Sequence, residues 1–280
     1  MYLMHIGFDN SARLKRIVYC FEYRGIEFKL IQNNPRKWSD VLLTIVPDNN
    51  ETAKQAAYDA GAEFLSALAW ANNSHVTVFP AGGMGIRDNN LRGAKCRVFD
   101  LPHLPFMGNT SGYDLTAIPK IESDIQKKGL TIFREGRSSN KIWLSFLFYW
   151  QVLEVNGEDP VVWINDRYSH GQVHVSVDVI NRLPLNGRSL GEYLKDDCRH
   201  AIAHIRRSSP ARTSLRFDVL EENLRFALSA DLVASFAKHY ILHELGLRKK
   251  LFLVRVKGKR FPVYLDESDM RSQVARLAYR

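Results

Sequence analysis

Residues 142–155 constrain the fold more than any other stretch of this chain. They hold Trp143, Phe146, Tyr149 and Trp150 in a nearly unbroken apolar run. A helix of that length is too short to cross a hydrocarbon core of about 30 Å, and Gln151 and Glu154 interrupt it. The aromatic side chains therefore have to be covered by other helices, which predicts a buried helix at the centre of a bundle.

Helical patterns surround this run. Ile121 to Gln126 starts one helix, Lys141 to Val155 forms the next, and Leu220 to Leu245 forms a long one closed by Gly246. The long helix presents Leu224, Leu228, Leu232, Phe236 and Tyr240 as its apolar stripe. Between them, Val173, Val175, Val177 and Val179 alternate with His174, Ser176 and Asp178. That alternation, together with Val161 to Ile164, predicts a β-hairpin inserted at about 157–186. Leu251 to Val256 and Phe261 to Leu265 predict a terminal hairpin.

The first third reads differently. Ile17 to Phe21 and Glu27 to Ile31 flank Tyr23, Arg24 and Gly25 as a hairpin, and Glu51 to Trp70 has helical spacing with Ala56, Ala60, Phe64 and Leu68 on one face. His75 to Phe79 and Lys95 to Leu101 follow as strands. Gly82, Gly83 and Gly85 lack the GxGxxG order and the GKS/T ending of phosphate loops, and read as a plain loop. The expected class is α+β: a small α/β module over 1–118, then a helical domain over 119–280 carrying the inserted and terminal hairpins.

Composition narrows the function classes. There is no basic n-region followed by an apolar h-region at the start, and Cys20, Cys96 and Cys198 are widely spaced and odd in number. A reducing cytoplasm, without zinc ribbons or a disulfide framework, is the expectation. Residues 185–280 carry 19 Lys+Arg against 11 Asp+Glu, whereas residues 1–184 carry 20 against 19. A basic C-terminal third favours a polyanion such as RNA; a merely solvated basic face is the plainer alternative.

Chemistry concentrates at 196–207, where Arg199, His200, His204, Arg206 and Arg207 fall within about three helical turns. Ser189 and Glu192 form a capping box in front of them, and Leu190, Leu194, Cys198, Ala201 and Ile205 form the expected buried stripe. An arginine followed five positions later by a histidine resembles the R-x4-6-H signature of the HEPN superfamily. The Tyr149 to Glu154 run on the preceding helix resembles HEPN-type proteins of the methylamine-utilisation protein J-like family. Both resemblances fall between Pro119 and Leu247.

What the resemblance implies is a metal-independent, cofactor-free endoribonuclease on an antiparallel helical bundle. Arg199 and His204 would be catalytic, His200 and Glu154 supporting, and Arg206 and Arg207 would hold the RNA backbone. Histidine titrates near pH 6.5 and suits proton transfer at a ribose 2′-OH; arginine's planar fork suits phosphate oxygens. Many members with active sites carry asparagine or a small polar residue where this chain has His200. On one straight α-helix Arg199 and His204 diverge by about 140°, so the expected assembly is a homodimer in which two copies of the helix meet.

Two alternatives stand beside it. Asp196, His200 and His204 lie along one side of a helix, yet Asp196 and His204 are about 12 Å apart along the axis, too far to share an ion. A His200/His204 pair with a distant third ligand is left. The second alternative is a non-catalytic nucleic-acid or partner-binding module in which Arg199 pairs with Asp196 or Glu154. His170 and His174 read as turn and solvent-face residues.

Overall fold

The computed structural model describes residues 2–11, 18–31, 40–47, 50–78, 118–203 and 219–247, with the backbone of 255–256 and 259–260. It divides into two compact units, residues 1–120 with 248–280, and residues 121–247. Among the described residues no helix is long and apolar enough to cross a membrane.

In the first unit, β1 (Tyr2–Asn10), β2 (Val18–Tyr23), β3 (Ile26–Ile31), β4 (Asp40–Val46) and β5 (Val76–Val78) form one sheet in the order β2-β3-β4-β1-β5. Every pairing is antiparallel. The expected β2–β3 hairpin is present, and its two-residue turn puts both Arg24 (φ 52°) and Gly25 (φ 75°) in the left-handed region. Such a turn matches the twist of the flanking strands. Helix α1 (Glu51–Asn72) lies on the face carrying Ile6, Phe8, Phe21, Phe28 and Leu42. Gly61 permits the close approach, since a Cβ there would lie 2.5 Å from Ile6 Cδ1.

One carboxylate is buried in this packing. Glu63 of α1 is 5% exposed and accepts from the Tyr23 hydroxyl at 2.7 Å and from Arg24 Nε at 2.9 Å. The hairpin turn thus supplies the counter-charge that a buried carboxylate requires. The Lys95 to Leu101 strand and the Gly82 to Gly85 loop lie outside the described residues. Of the expected terminal hairpin, Arg255–Val256 (β6) pairs antiparallel with Lys259–Arg260 (β7), Phe261 to Leu265 lies outside the described residues, and the pair groups with the first unit rather than with the helices.

The second unit is helical: α2 (Asp124–Ser138), α3 (Ile142–Leu153), α4 (Pro160–Ser169), α5 (Val177–Asn181), α6 (Leu190–Tyr193), a π-helical turn (Leu194–Arg199), α7 (His200–Ala203) and α8 (Leu220–His243). Phe146, Tyr149, Trp150 and Leu153 of α3 are buried, with the Tyr149 ring against Phe133 of α2 and the Phe146 ring against Phe226 of α8. Gln126 donates to the Leu245 carbonyl at 2.8 Å, joining the start of α2 to the chain just past α8. Gly246, at φ 64°, lies just beyond the end of α8.

The inserted hairpin is not formed: Val161 to Ile164 lie in α4, Val173 to Ser176 are irregular and Val177 to Val179 lie in α5. Asp159 caps Val161 N–H, Pro160 occupies the first turn, and Pro160, Trp163 and Ile164 are buried at helical spacing. A capped start with proline in place outweighs the strand preference of Val161 and Val162. The valine alternation ends in α5 after Ser176, and Val177 is 67% exposed, so no sheet face is buried to reward it. The stripe of α8 also differs at its start. Leu224 is 51% exposed while Phe226, Ser229, Ala230 and Val233 face inward, since a strict four-residue repeat drifts around a 3.6-residue helix.

Candidate functional site

Local rules start the key helix. The Ser189 hydroxyl accepts from Glu192 N–H while the Glu192 carboxylate accepts from Ser189 N–H, a complete capping box. Asn165 of α4 braces this start, donating to Ser189 Oγ at 3.0 Å and accepting from Gly191 N–H at 2.9 Å.

The helix then widens. Leu194–Arg199 form a π-helical turn, and the N–H of His200 reaches back five residues to the Lys195 carbonyl. Leu190, Leu194, Cys198 and Ile202 are all buried. Four-residue spacing would swing by about 40° per step on an α-helix; a wider turn reduces that swing. Ile202, not the expected Ala201, consequently continues the buried stripe. Single π turns of this kind are frequent at functional sites.

Arg199 closes the π turn. Its Nη2 lies 3.4 Å from Glu154 Oε1, and that same oxygen accepts the Trp150 indole N–H at 2.8 Å. Both partners are about one-third exposed, 33% for the Arg199 side chain and 37% for Glu154. His200 Nδ1 lies 3.4 Å from Asp196 Oδ1 across one turn. Asp197 is held by Arg188, which donates from Nη1 at 2.9 Å and from Nη2; this fork raises the guanidinium's affinity for its proton. The expected His204, Arg206 and Arg207 lie outside the described residues.

One residue the sequence reading missed sits behind the turn. Arg225, from the second turn of α8, places Nη1 at 3.1 Å from the Tyr193 hydroxyl, 3.4 Å from the Asp197 carbonyl and 3.7 Å from Cys198 Sγ, while Nη2 donates to Glu222 at 2.7 Å. Only Glu222, three residues away, was a signal in the sequence. Burial pushes the Tyr193 hydroxyl up to about 12 and pushes the Cys198 thiol up as well, so both stay protonated at neutral pH. Cys198 donates to Ser229 Oγ at 3.5 Å in a dry interior.

Among the described residues no cluster of three or more His, Cys, Asp or Glu is placed to hold a metal ion. His170 caps α4 through Asp166 and His174 is exposed, in keeping with turn and solvent positions.

Residues 130–242 match the family model of methylamine utilization protein MauJ. The matched segment begins in α2, ends in α8 and lies wholly within the helical unit, so it contains Trp150, Glu154, Arg199 and Arg225. No curated protein and no solved structure matches the chain. The MauJ-like segment therefore includes every described residue of the candidate site.

The division into units also reassigns the charge. The unit holding the MauJ-like segment carries 16 Lys+Arg against 16 Asp+Glu, and the first unit carries 23 against 14. The whole excess of +9 belongs to the first unit, because residues 248–280 group with it. Around the motif the basic character is local, in Arg206, Arg207, Arg212 and Arg216.

Proposed function

We propose that the MauJ-like unit is a metal-independent endoribonuclease of HEPN type acting as a homodimer. The observation that supports it is the placing of Arg199: a guanidinium one-third exposed, steadied through a single contact to Glu154, on a π-helical turn. A side chain held in that way can turn to a phosphate without leaving a buried charge behind. In the proposed reaction His204 takes the proton of a ribose 2′-OH, and the 2′-oxygen bonds to the adjacent phosphorus. The bond from phosphorus to the 5′-oxygen breaks, and that oxygen collects a proton as it leaves. Arg199 stabilises the extra negative charge on the phosphoryl oxygens. The products are a 2′,3′-cyclic phosphate and a 5′-hydroxyl, and the substrate must be RNA because the step consumes the 2′-OH.

A second reading is favoured by a different observation. Arg199 is already ion-paired with Glu154, His200 Nδ1 already faces Asp196 Oδ1, and the unit is neutral overall. On that reading the domain is a non-catalytic accessory or partner-binding module, consistent with the family's description as a methylamine utilization protein.

The deciding experiment incubates the purified full chain with mixed-sequence RNA in excess chelator and identifies the fragment ends. The ribonuclease reading expects cyclic-phosphate ends that disappear with Arg199→Ala and with His204→Ala. Intact RNA, or 5′-phosphate ends that vanish on adding EDTA, removes it.

A further inference from the structure

The π-helical turn has a partly buried guanidinium aimed into it from another helix. Arg225 Nη1 lies among three acceptors, the Tyr193 hydroxyl before the turn and the Asp197 carbonyl and Cys198 thiol within it. Its side chain is only 17% exposed, and its charge is compensated by Glu222 and by the face of Phe226, whose ring centre is 4.5 Å from the guanidinium carbon. A largely covered cation held by several partners is restricted in geometry, and it holds whatever it donates to.

We propose that Arg225 is the positioning residue for Arg199. An α-helix of the same sequence would carry Arg199 around the axis relative to the residues before the turn; the wide turn ends with Arg199 within 3.4 Å of Glu154. Arg225 stabilises the wide form because it donates to a main-chain carbonyl inside it and to a phenol at its entrance. From the other side Arg188 grips the Asp197 carboxylate, so Asp197 is held through both its main chain and its side chain. Loss of Arg225 removes the donor to the turn and lets the segment relax towards α geometry, which takes Arg199 off Glu154. The consequence for RNA cleavage rests on the ribonuclease reading above; the positioning does not.

Trp150 reports the effect without any activity, because its indole N–H and Arg199 share Glu154 Oε1. The test is the indole region of a 1H–15N spectrum of the full chain, with the Trp150 signal assigned by Trp150→Phe. Arg225→Met is expected to move that signal to the place where Arg199→Met puts it. Leu232→Ala, a core change in α8 distant from the turn in sequence, is expected to leave it in place. Where Arg225→Met does not fold, Arg225→Lys replaces it, since a lysine lacks the fork and is expected to shift the signal likewise. An unmoved Trp150 signal in a folded Arg225 variant overturns the proposal, as does an equal movement in Leu232→Ala. RNA cleavage gives the second readout, with kcat expected to fall about 100-fold and KM to change far less. If the wild-type chain cleaves nothing while the indole moves as described, the ribonuclease reading fails and the positioning role stands. If the chain cleaves RNA and Arg225→Met keeps its kcat, the positioning role fails.

Discussion

Arg199 and Glu154 meet through one carboxylate oxygen, Oε1, which already accepts a shorter bond from the Trp150 indole. Trp150 is 2% exposed and belongs to the bundle core, so it anchors Glu154; Arg199, one-third exposed, makes the longer of the two contacts to that oxygen. The apolar helix that dictates the bundle thereby also fixes the partner of the candidate phosphate-binding residue.

Glu154→Gln keeps an acceptor for Trp150 and removes the charge facing Arg199. Stability is expected to change by less than about 1 kcal/mol, because the ion pair is partly solvated. RNA cleavage is expected to fall roughly tenfold, about 1.4 kcal/mol of barrier. Thermal melts run beside cleavage assays check this; a stability loss of several kcal/mol would make Glu154 a structural residue instead.

The proposed homodimer is tested by mixing. Chains carrying Arg199→Ala and chains carrying His204→Ala, each inactive alone, are expected to regain part of the activity together, since a two-fold interface rebuilds one composite site from both. A monomer that is fully active in sedimentation experiments, or proven subunit exchange without recovery, rules the shared site out.

Gly191→Ala is expected to destabilise the helical unit by about 2 kcal/mol. A Cβ there would lie 2.7 Å from the Val161 carbonyl oxygen and 3.0 Å from Val161 Cα, main-chain atoms of α4 that cannot step aside. Ser189→Ala, which removes the cap and the acceptor for Asn165 Nδ2 but adds no clash, is expected to cost about 1 kcal/mol. Urea titration compares the two, and a Gly191→Ala chain as stable as wild type would contradict the contact.

Acid is expected to weaken the junction between α4 and the end of α8. His239 stacks on His243 with ring centres 4.1 Å apart and faces Trp163 at 6.0 Å. Burial, His243 and the Arg167 cation hold His239 below its ordinary value near 6.5, and Glu244 opposes them only in part. The unfolded chain therefore binds this proton more readily than the folded one. The associated stability is present above about pH 6.5 and is lost as pH falls below it. Melting temperatures between pH 8 and pH 5 should decline less in His239→Gln than in wild type; identical curves would show that His239 contributes nothing.

Some of the fold was legible because the signals are local. The capping box at Ser189, the β2–β3 hairpin, α1 and α3 each depend on residues within a few positions of one another. The inserted hairpin misled because four alternating valines imitate a strand, whereas Asp159 and Pro160 start a helix and no neighbouring strand among the described residues pairs with them. Strands β1 and β4 were not anticipated: they pair with each other across 30 and more residues, and their apolar runs alone do not separate a strand from a buried helix.

The sequence by itself determined that a helix runs from Ile142 and buries Phe146, Tyr149 and Trp150, and that Arg199 opens an Arg-x4-His spacing, since composition and helical period suffice for both. It left the partner of Arg199 open between Asp196 and Glu154, and the structure pairs Arg199 with Glu154. Only the tertiary structure decided that the helix widens to π before Arg199 and that Arg225 reaches into the wide turn. It alone decided, too, that the basic tail groups with the other unit. The physical reason is common to these: each depends on a side chain or segment brought near from dozens of residues away. A regular 100° step per residue carries no trace of a carbonyl that a distant guanidinium will satisfy.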